Sequence, residues 1–446
     1  MGADSGGLTR KLAAFIAATE ASMIPREAYE HAKVAFLDWI GITMAAKDDP
    51  LVRKLLDYAD AMGGREQATI LGHKVKKSAS QAALINGAAS HVLDYDDSLE
   101  SFLGHPSVTL FPSLLALAEW QEKCGRDFLC AYLIGLQVGA TIGACAGMDH
   151  YMAGWHGTST IGHMASAAGC ASLLRLDENR CAHALGIAGT QSSGLKRVFG
   201  TMCKPFHAGR SSEAGLLSAL LAERGFTSAE DILEGPHGFF HCFKGKANEK
   251  ALAGLGRVWA VENLSQKYHA SCHATHSPLE AALEIVQAQG LGLDGIRSIR
   301  VYVSQLSLDA AGKTELATGL EGKFSISYCV ANALLRGETG TQSFTDEKVR
   351  DPRVRELMHQ IRVTLNPEFK AVEARVEVET KTGEVFSGFS NVLQQTPPLN
   401  LKRERVASKY LDLCGQAVGK ERAQKIDEEI LELESLGNMK PFAEGL

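Results

Sequence analysis

The segment QKYHASCHATHS, at residues 266–277, concentrates side chains that can bind metal ions or transfer protons. Three histidines and a cysteine, beginning at His269 and ending at His276, are spaced i, i+3, i+4 and i+7, which on a helix would place all four on one face. A single straight helix approaches an ion from one side only. The chain has no HExxH motif and no second Cys/His pair at zinc spacing. The sequence therefore favours an active-site segment or a packed helix start over a metal site.

An acidic cluster followed by a histidine occupies HVLDYDDSLESFLGHPS, residues 91–107. Asp94, Asp96 and Asp97 fall within four positions. His105 follows and directly precedes a proline. Carboxylates this close repel one another, so burial should raise the pKa of at least one of them. Such a group suits general-base catalysis or metal binding; the alternative is an acidic loop that caps the next helix.

A histidine precedes a predicted helix in GWHGTSTIGHMASAAG, residues 154–169. Thr158 or Ser159 can cap this helix, and the free N–H groups of a helix N-terminus attract carboxylates. His156 beside it could act as an acid or a base near neutral pH, or simply pack in the loop. His163, within the apolar helix, is interpreted as structural.

Cations cluster around GTMCKPFHAGRSSEAG, residues 200–215. Lys204 precedes Pro205, which predicts an extended or turn conformation for it. A lysine between apolar neighbours there can bind a carboxylate, with Lys196 and Arg197 close by. The alternative is that all three are ordinary surface cations.

A tyrosine in GKFSISYCVANAL could bring a hydroxyl group to a substrate between domains. Lys323 and Tyr328 flank the start of a predicted helix. The alternative is a tyrosine of the core. Together, the candidate groups lie at loop-to-helix junctions in both predicted domains, and clefts between domains are common places for small-molecule sites.

The elements that carry these groups are mostly helical. Apolar residues recur at helical spacing throughout residues 8–265. The pattern changes near residue 290, with a predicted strand at 296–304, a helix at 351–363 and a hairpin at 371–390 that turns at Thr382-Gly383. Helices return after Pro397-Pro398. We expect a mainly α protein: a large all-α domain (1–266, completed by 396–446) and a smaller α+β domain (267–395).

Composition excludes several classes of function. The net charge is −6 and no basic run is present, which argues against nucleic acid as a partner. No segment has 18 uninterrupted apolar residues, so no membrane span is predicted. Ten scattered cysteines without a CxxC motif favour reduced thiols and a cytoplasmic protein.

The order of the motifs resembles that of the MmgE/PrpD family. DYDDS…GHPS, GWHGTSTIG, GTMCKPFHAG, K-Y-x3-C-x3-H and KFSISYCVANALL follow one another along nearly the whole chain. The resemblance implies a large all-α domain with a smaller α+β lid domain, usually in a homodimer. It also implies chemistry at carbon acids beside carboxylates, with no required metal or other cofactor. Residues 266–277 would then be an interdomain active-site segment.

The resemblance carries the family's site residues over, motif by motif. Asp94 matches the first Asp of the family's Asp-x-Asp-Asp-Thr motif, and Ser98 takes the place of its Thr. The implied catalytic groups are Asp94, His105, His156, Lys204 and Lys267, and the implied substrate-binding groups are Ser98, Cys272 and Tyr328. No residue is assigned to a metal. The choice of general base among Asp94, His105 and His156 stays open.

The resemblance implies a reaction type but not one substrate. The leading expectation is a cofactor-free lyase that removes a proton α to a carboxylate and eliminates water from a hydroxy di- or tricarboxylate, as 2-methylcitrate dehydratase does. Cys272 stands where the family's decarboxylase has a histidine, which counts against decarboxylation. His269-Ala270 replaces a usual proline. The Asp-Asp-Ser run with HYMAGWHGTST is similar to the epimerase branch and keeps an imino- or amino-dicarboxylate epimerase as the alternative.

Overall fold

The computed structural model describes residues 6–394 and 396–446. The first five residues, and Gln395 at the predicted end of the second domain, lie outside the described residues. The chain divides into two compact units, Met1–Gln266 with Pro398–Leu446 and Lys267–Pro397. The described residues are mainly helical, with a small mixed sheet in the second unit.

The first unit is built almost entirely of helices. Its described strands, β1 (Ala68–Thr69) and β2 (Lys76–Lys77), form one short antiparallel pair. In chain order the helices are α1 (Leu8–Ala18), α2 (Arg26–Ala45), α3 (Pro50–Met62), α4 (Ala79–Val92), α5 (Ser107–Trp120), α6 (Gly125–Met152), α7 (Gly157–Leu173), α8 (Glu178–Gln191), α9 (Cys203–Glu223) and α10 (Phe239–Phe243). After the second unit the chain returns with α17 (Leu399–Val418), α18 (Lys420–Leu431) and α19 (Lys440–Glu444).

Helix α7 is the centre of the first unit and packs against α5, α6, α8 and α9. Nearly all of its residues are buried, and many are Gly, Ala or Ser, which lets neighbouring helices approach closely. Helices α4 and α9 also pack closely, at Gly209. A Cβ atom there would lie 2.1 Å from the carbonyl oxygen of Leu84, so no larger residue fits without a shift. This close packing helps to fix α4 and α9, which both carry site residues, relative to each other.

Helix α6 is long and apolar enough to cross a membrane by length and composition. However, 94% of its most apolar 18-residue window is buried inside the protein, as is typical of the core helix of a globular unit. A backbone kink at Gly147, with φ of 68°, interrupts it near its end.

The second unit combines a four-stranded mixed sheet with helices. The strands are β3 (Ile296–Val303), β4 (Ile361–Leu365), β5 (Ala374–Thr380) and β6 (Val385–Ser390), in the order β4-β3-β5-β6. Strand β3 runs parallel to β4 and antiparallel to β5, which pairs with β6. The helices are α11 (His276–Gln289), α12 (Gln305–Ala311), α13 (Gly319–Gly322), α14 (Ile326–Arg336), α15 (Asp346–Arg350) and α16 (Pro352–His359).

The predicted hairpin is confirmed, and one predicted helix is wrong over its last part. Strands β5 and β6 flank a turn in which Gly383 has a φ of 91°, a conformation that favours glycine. The helix predicted over 351–363 ends at His359, and the following residues form β4. Ile361 and Val363 fit both a helical and an alternating pattern, and pairing with β3 decides for the strand.

Candidate active site

His91, Asp96 and His105 form a hydrogen-bonded group in the first unit, which we call the Asp96 triplet. Helix α4 ends at Val92, so His91 lies in its last turn, and the loop to α5 carries the other two residues. The Asp96 carboxylate lies 2.9 Å from Nδ1 of His91 and 3.0 Å from Nδ1 of His105. Burial alone would raise the pKa of Asp96, but the adjacent imidazoles hold it well below its usual range. The carboxylate is therefore ionised and fixes two rings at once.

The surroundings of His105 determine which of its nitrogens carries the proton. Its Nδ1 lies 2.7 Å from the carbonyl oxygen of Asp97, besides its contact with Asp96. Both partners are hydrogen-bond acceptors, so Nδ1 must donate. In the neutral ring, Nε2 then keeps its lone pair and can accept a proton. The side chain is 16% exposed, so a small molecule can reach it.

The expected pKa rise within the acidic cluster falls on Asp97. Burial, together with the charges of Asp38 and Asp96, raises its pKa to about 8. Asp97 accepts hydrogen bonds from the hydroxyl and the backbone N–H of Ser107, and that hydroxyl also contacts Tyr132. Asp97 is thus part of the buried support of the loop.

A lysine from the returning C-terminal segment holds the same loop. Lys409 of α17 lies 2.7 Å from the Asp38 carboxylate and donates a hydrogen bond of 2.6 Å to the carbonyl oxygen of Tyr95. Its ammonium also lies 3.8 Å from the centre of the Tyr95 ring. Since all three residues are buried, this contact fixes the backbone between Asp94 and Asp96.

Asp94 and Lys204 form an ion pair at the partly exposed side of the site. The Lys204 ammonium lies 2.8 Å from Oδ1 of Asp94, and their side chains are 18% and 21% exposed. Asp94 adopts a left-handed backbone conformation, with φ of 52°. The prediction of an extended or turn segment at Lys204 is wrong, since this residue lies in the first turn of helix α9. Pro205 is tolerated there because the first turn of a helix needs no backbone N–H donor.

His156 lies directly before α7 and contacts a second histidine. Neither Thr158 nor Ser159 caps this helix: His156 occupies the cap position, and the Thr158 hydroxyl accepts a hydrogen bond from the backbone of His105. Nδ1 of His156 lies 3.0 Å from Nδ1 of His207 on α9. The His156 ring also stacks at 6.1 Å on that of His91.

The buried imidazoles of His91 and His156 are neutral at pH 7. Burial lowers the pKa of His91 to about 4, helped by the positive charge of Lys204. Burial also lowers the pKa of His156 well below its usual range, and neighbouring His91 and Lys204 add to the effect. A neutral imidazole can accept a proton at one nitrogen and donate one from the other, which suits acid–base chemistry. His163, by contrast, donates from Nδ1 to the Ser159 carbonyl inside α7, in agreement with a structural role.

Ser98 lies beside the acidic loop in a backbone pairing. Its N–H and C=O groups exchange 2.9 Å hydrogen bonds with those of Ser265. This pairing joins the loop to the segment that leads out of the first unit.

The remaining predicted site residues belong to the second unit. Lys267 is the first residue of that unit, and Cys272 follows in a non-helical stretch where its backbone N–H donates to the Lys323 carbonyl. Tyr328 is fully buried, and its hydroxyl donates to the main-chain carbonyl of Ser343. Its position is that of the core tyrosine which the sequence left as the alternative to substrate binding.

The histidines of residues 266–277 do not form one helical stripe. Helix α11 begins only at His276, so His269 and Cys272 precede it. His269 contacts Thr339 at 2.8 Å through Nδ1 and Glu280 at 3.1 Å through Nε2. Both of its nitrogens are therefore occupied by local packing partners.

Four groups of the first unit are close enough to share a metal ion. One ligand atom each from His91, Asp94, Asp96 and His105 lies within 4.8 Å of the others. Two imidazoles and two carboxylates are a chemically suitable set for zinc. However, Asp94 is paired with Lys204, and Asp96 accepts hydrogen bonds from both imidazoles. Both carboxylates therefore already have partners, Asp94 in Lys204 and Asp96 in the two imidazoles.

The structure brings four predicted residues of the first unit together: Asp94, His105, His156 and Lys204. Sequence reasoning missed His91, the bridging role of Asp96, and His207. One signal for His207 was available, since it follows Lys204 by three residues and so lies one helical turn away. The link between His91 and His105 had no local signal.

Comparison with known proteins identifies the family to which the chain belongs. The family model described as the MmgE/PrpD N-terminal domain matches residues 10–251, and that of the MmgE/PrpD C-terminal domain matches residues 269–435. A cis-aconitate decarboxylase of Aspergillus terreus is 26% identical, over 98% of this chain and 95% of its own length. The human cis-aconitate decarboxylase is 23% identical, over 90% and 87%. A mitochondrial 2-methylcitrate dehydratase of Yarrowia lipolytica is 25% identical, over 80% and 74%.

Proposed function

Since the chain belongs to the MmgE/PrpD family, we propose that it is a lyase that dehydrates a hydroxy di- or tricarboxylate. The reaction removes a proton from the carbon beside a carboxylate and expels a hydroxyl group from the neighbouring carbon as water. The relatives named above carry the names of a decarboxylase and a dehydratase, both of which are lyases.

The observation that carries the proposal is the proton arrangement of His105. Its Nδ1 faces two acceptors, so Nε2 presents a lone pair on a side chain that remains partly exposed. Asp94, the competing candidate, is neutralised by Lys204, and a carboxylate that is paired with a lysine is a weaker base. We therefore assign the general base to His105.

The other site residues fit complementary roles. His156 is neutral and buried close to the Asp96 triplet, which suits a donor that protonates the departing hydroxyl group. Lys204 supplies the positive charge that a substrate carboxylate and the carbanion-like transition state require. A substrate carboxylate would compete with Asp94 for that ammonium.

Decarboxylation of an unsaturated tricarboxylate is the second candidate. The relatives that support it, the cis-aconitate decarboxylases, cover nearly the whole chain. In this reaction CO2 leaves without the electron pair of the broken carbon–carbon bond. A histidine would then protonate the carbon atom that keeps this pair. Cys272, at the position where the family's decarboxylase has a histidine, is the reason that dehydration stays the leading proposal.

One assay separates these reactions from each other and from the epimerase alternative. Chelator-treated protein is incubated in D2O with 2-methylcitrate, citrate, cis-aconitate or iminodisuccinate and followed by NMR. An alkene formed with loss of water supports the dehydratase. Loss of CO2 from cis-aconitate would show that the protein is a decarboxylase and not a dehydratase. Deuterium at the α-carbon, with inversion of its configuration and without an alkene, would show that the protein is an epimerase and not a dehydratase. Activity that returns only when a metal is added would contradict the cofactor-free mechanism.

A further inference from the structure

The contact between His156 and His207 bears on which nitrogen of His156 carries a proton. The two Nδ1 atoms lie 3.0 Å apart, with the ring planes inclined at 44°. One nitrogen must donate and the other accept. The direction decides whether the opposite nitrogen of His156, Nε2, holds a proton or a lone pair.

Burial decides the direction whenever the pair holds an extra proton. His156 is only 3% exposed, whereas His207 is half-buried. The pKa of both is lowered by burial, but that of His156 falls well below its usual range. An extra proton on the pair therefore resides on His207, and the resulting imidazolium donates from both of its nitrogens. Nδ1 of His156 then accepts, and its proton sits on Nε2.

The charged and titratable neighbours of His156 act in the same direction. His91, His105 and Lys204 face His156 and disfavour a positive charge on it. His163 of α7 also faces His207. Asp94, a carboxylate of this site, is paired with Lys204.

We propose that His207 is a positioning residue that donates from its Nδ1 to His156 and so holds His156 as an Nε2–H donor. The inference rests on the proposed function in that His156 is the acid of a dehydration. It adds a second imidazole, His207, whose protonation makes His156 a proton donor, and it explains how His105 and His156 can have opposite tasks.

The proton balance of the step is complete with these residues. The carbon-bound proton moves to Nε2 of His105, and the C–H electron pair becomes the new C=C bond. The C–O bond breaks with its electron pair on oxygen, which takes the Nε2 proton of His156 and leaves as water. As that proton departs, Nδ1 of His156 takes the Nδ1 proton of His207. His156 stays neutral, and His207 changes from imidazolium to imidazole. Solvent then takes the proton gained by His105 and returns one proton to the His156–His207 pair, which restores all three histidines.

The test compares His207→Gln, His207→Phe and the control His183→Gln. Gln can still donate an N–H but cannot titrate, whereas Phe can do neither. His183 is another half-buried histidine of the first unit, which contacts the Ser228 carbonyl. The wild-type kcat should fall as pH rises through the pKa of His207, since the protonated form is the active one. We expect this pH dependence to vanish in His207→Gln and to persist in His183→Gln. We also expect kcat of His207→Phe to fall by about tenfold to a hundredfold with little change in KM.

A measurement without turnover makes the inference independent of the reaction. The ¹⁵N NMR shifts of labelled histidine, assigned with a His156→Gln variant, distinguish a protonated ring nitrogen from an unprotonated one. At a pH below the pKa of His207, we expect His156 to be protonated at Nε2 in wild type and in His207→Gln, but to show mixed forms in His207→Phe. A proton on Nδ1 of wild-type His156 would overturn the inference, and so would an unchanged pH profile in His207→Gln. If the NMR result holds while no dehydration occurs, only the proposed function fails.

Discussion

The two units each contain a group of histidines, and the groups differ in how their nitrogens are used. In the second unit, His269, His273 and His276 lie within eight residues, and their rings contact one another edge to face. His269 is bonded at both nitrogens, and His276 contacts the Ser271 carbonyl through Nε2. These contacts hold a chain segment in place.

In the first unit, the four histidines of the candidate site come from separate stretches of chain, at positions 91, 105, 156 and 207. Their described contacts are made through Nδ1, with Asp96, with the Asp97 carbonyl, or with each other. That pattern leaves Nε2 available for proton transfer. The number of histidines in a short stretch of sequence is therefore a poor guide to reactivity. A better guide is which ring nitrogen is left without a hydrogen bond once the protein has packed.

Replacement of His105 should produce the largest effect and tests the contrast directly. His105→Gln removes the proposed base, and we expect kcat to fall by about 10²–10⁴ while the thermal unfolding temperature changes little. The matched control is His269→Gln, which removes a histidine of the second group. Near wild-type turnover in His105→Gln would refute the assignment.

Loss of the shared carboxylate should have a smaller but still clear effect on activity. In Asp96→Asn the amide can present an N–H to one ring and so reverse its proton arrangement. We expect kcat to fall by about a hundredfold, within the usual range for a lost acid–base arrangement. The ¹⁵N shifts of both His91 and His105 should change. If those shifts stay as in wild type, the triplet does not set the tautomers.

A third prediction concerns Asp97, which supports the acidic loop between α4 and α5 from the protein interior. The pKa of Asp97 is raised to about 8 in the folded state, above its ordinary value near 4. Its contribution to stability is therefore fully present below pH 4 and is lost as pH rises towards 8. Asp97→Asn imitates the protonated form, so its advantage over wild type should grow with pH, by up to ~1.4 kcal/mol per pH unit. Urea unfolding at pH 5, 6, 7 and 8 measures this difference, and parallel curves for the two proteins would contradict it.

The smallest effect is expected for His269→Gln. It should lower the free energy of unfolding by about 0.5–1.5 kcal/mol, the usual worth of a hydrogen bond, and leave kcat within a factor of two. A loss of activity as large as that of His105→Gln would mean that both histidine groups take part in the reaction, and the contrast between them would fail.

The sequence predicted the elements better than the contacts among them. Helical periodicity and the hairpin signal gave most of the architecture, because both depend on neighbours along the chain. Strand β4 was missed because its identity depends on β3, about 60 residues away. Lys204 was placed in an extended or turn segment because a proline restricts the residue before it, although the first turn of a helix accepts proline.

The same limit applies to the site. The motifs named Asp94, His105, His156 and Lys204, but their spacing contained no information on which nitrogen faces which acceptor. The Nδ1 contact of His156 with His207 exists only because α7 and α9 pack closely, whereas that of His91 with Asp96 depends on the path of the loop after α4. Tyr328 illustrates the opposite case, a motif residue whose hydroxyl is taken by a main-chain carbonyl.

The hydrogen bond from Lys409 to Tyr95 has a consequence for biosynthesis. The lysine follows the tyrosine by 314 residues, so the ribosome makes the acidic loop long before it makes the side chain that fixes it. At about 5–20 residues per second, the delay is roughly 15–60 s. During that time the nascent chain has Asp38 without its cation and a loop without its anchor. The acidic loop therefore gains this anchor only after α17 has left the exit tunnel.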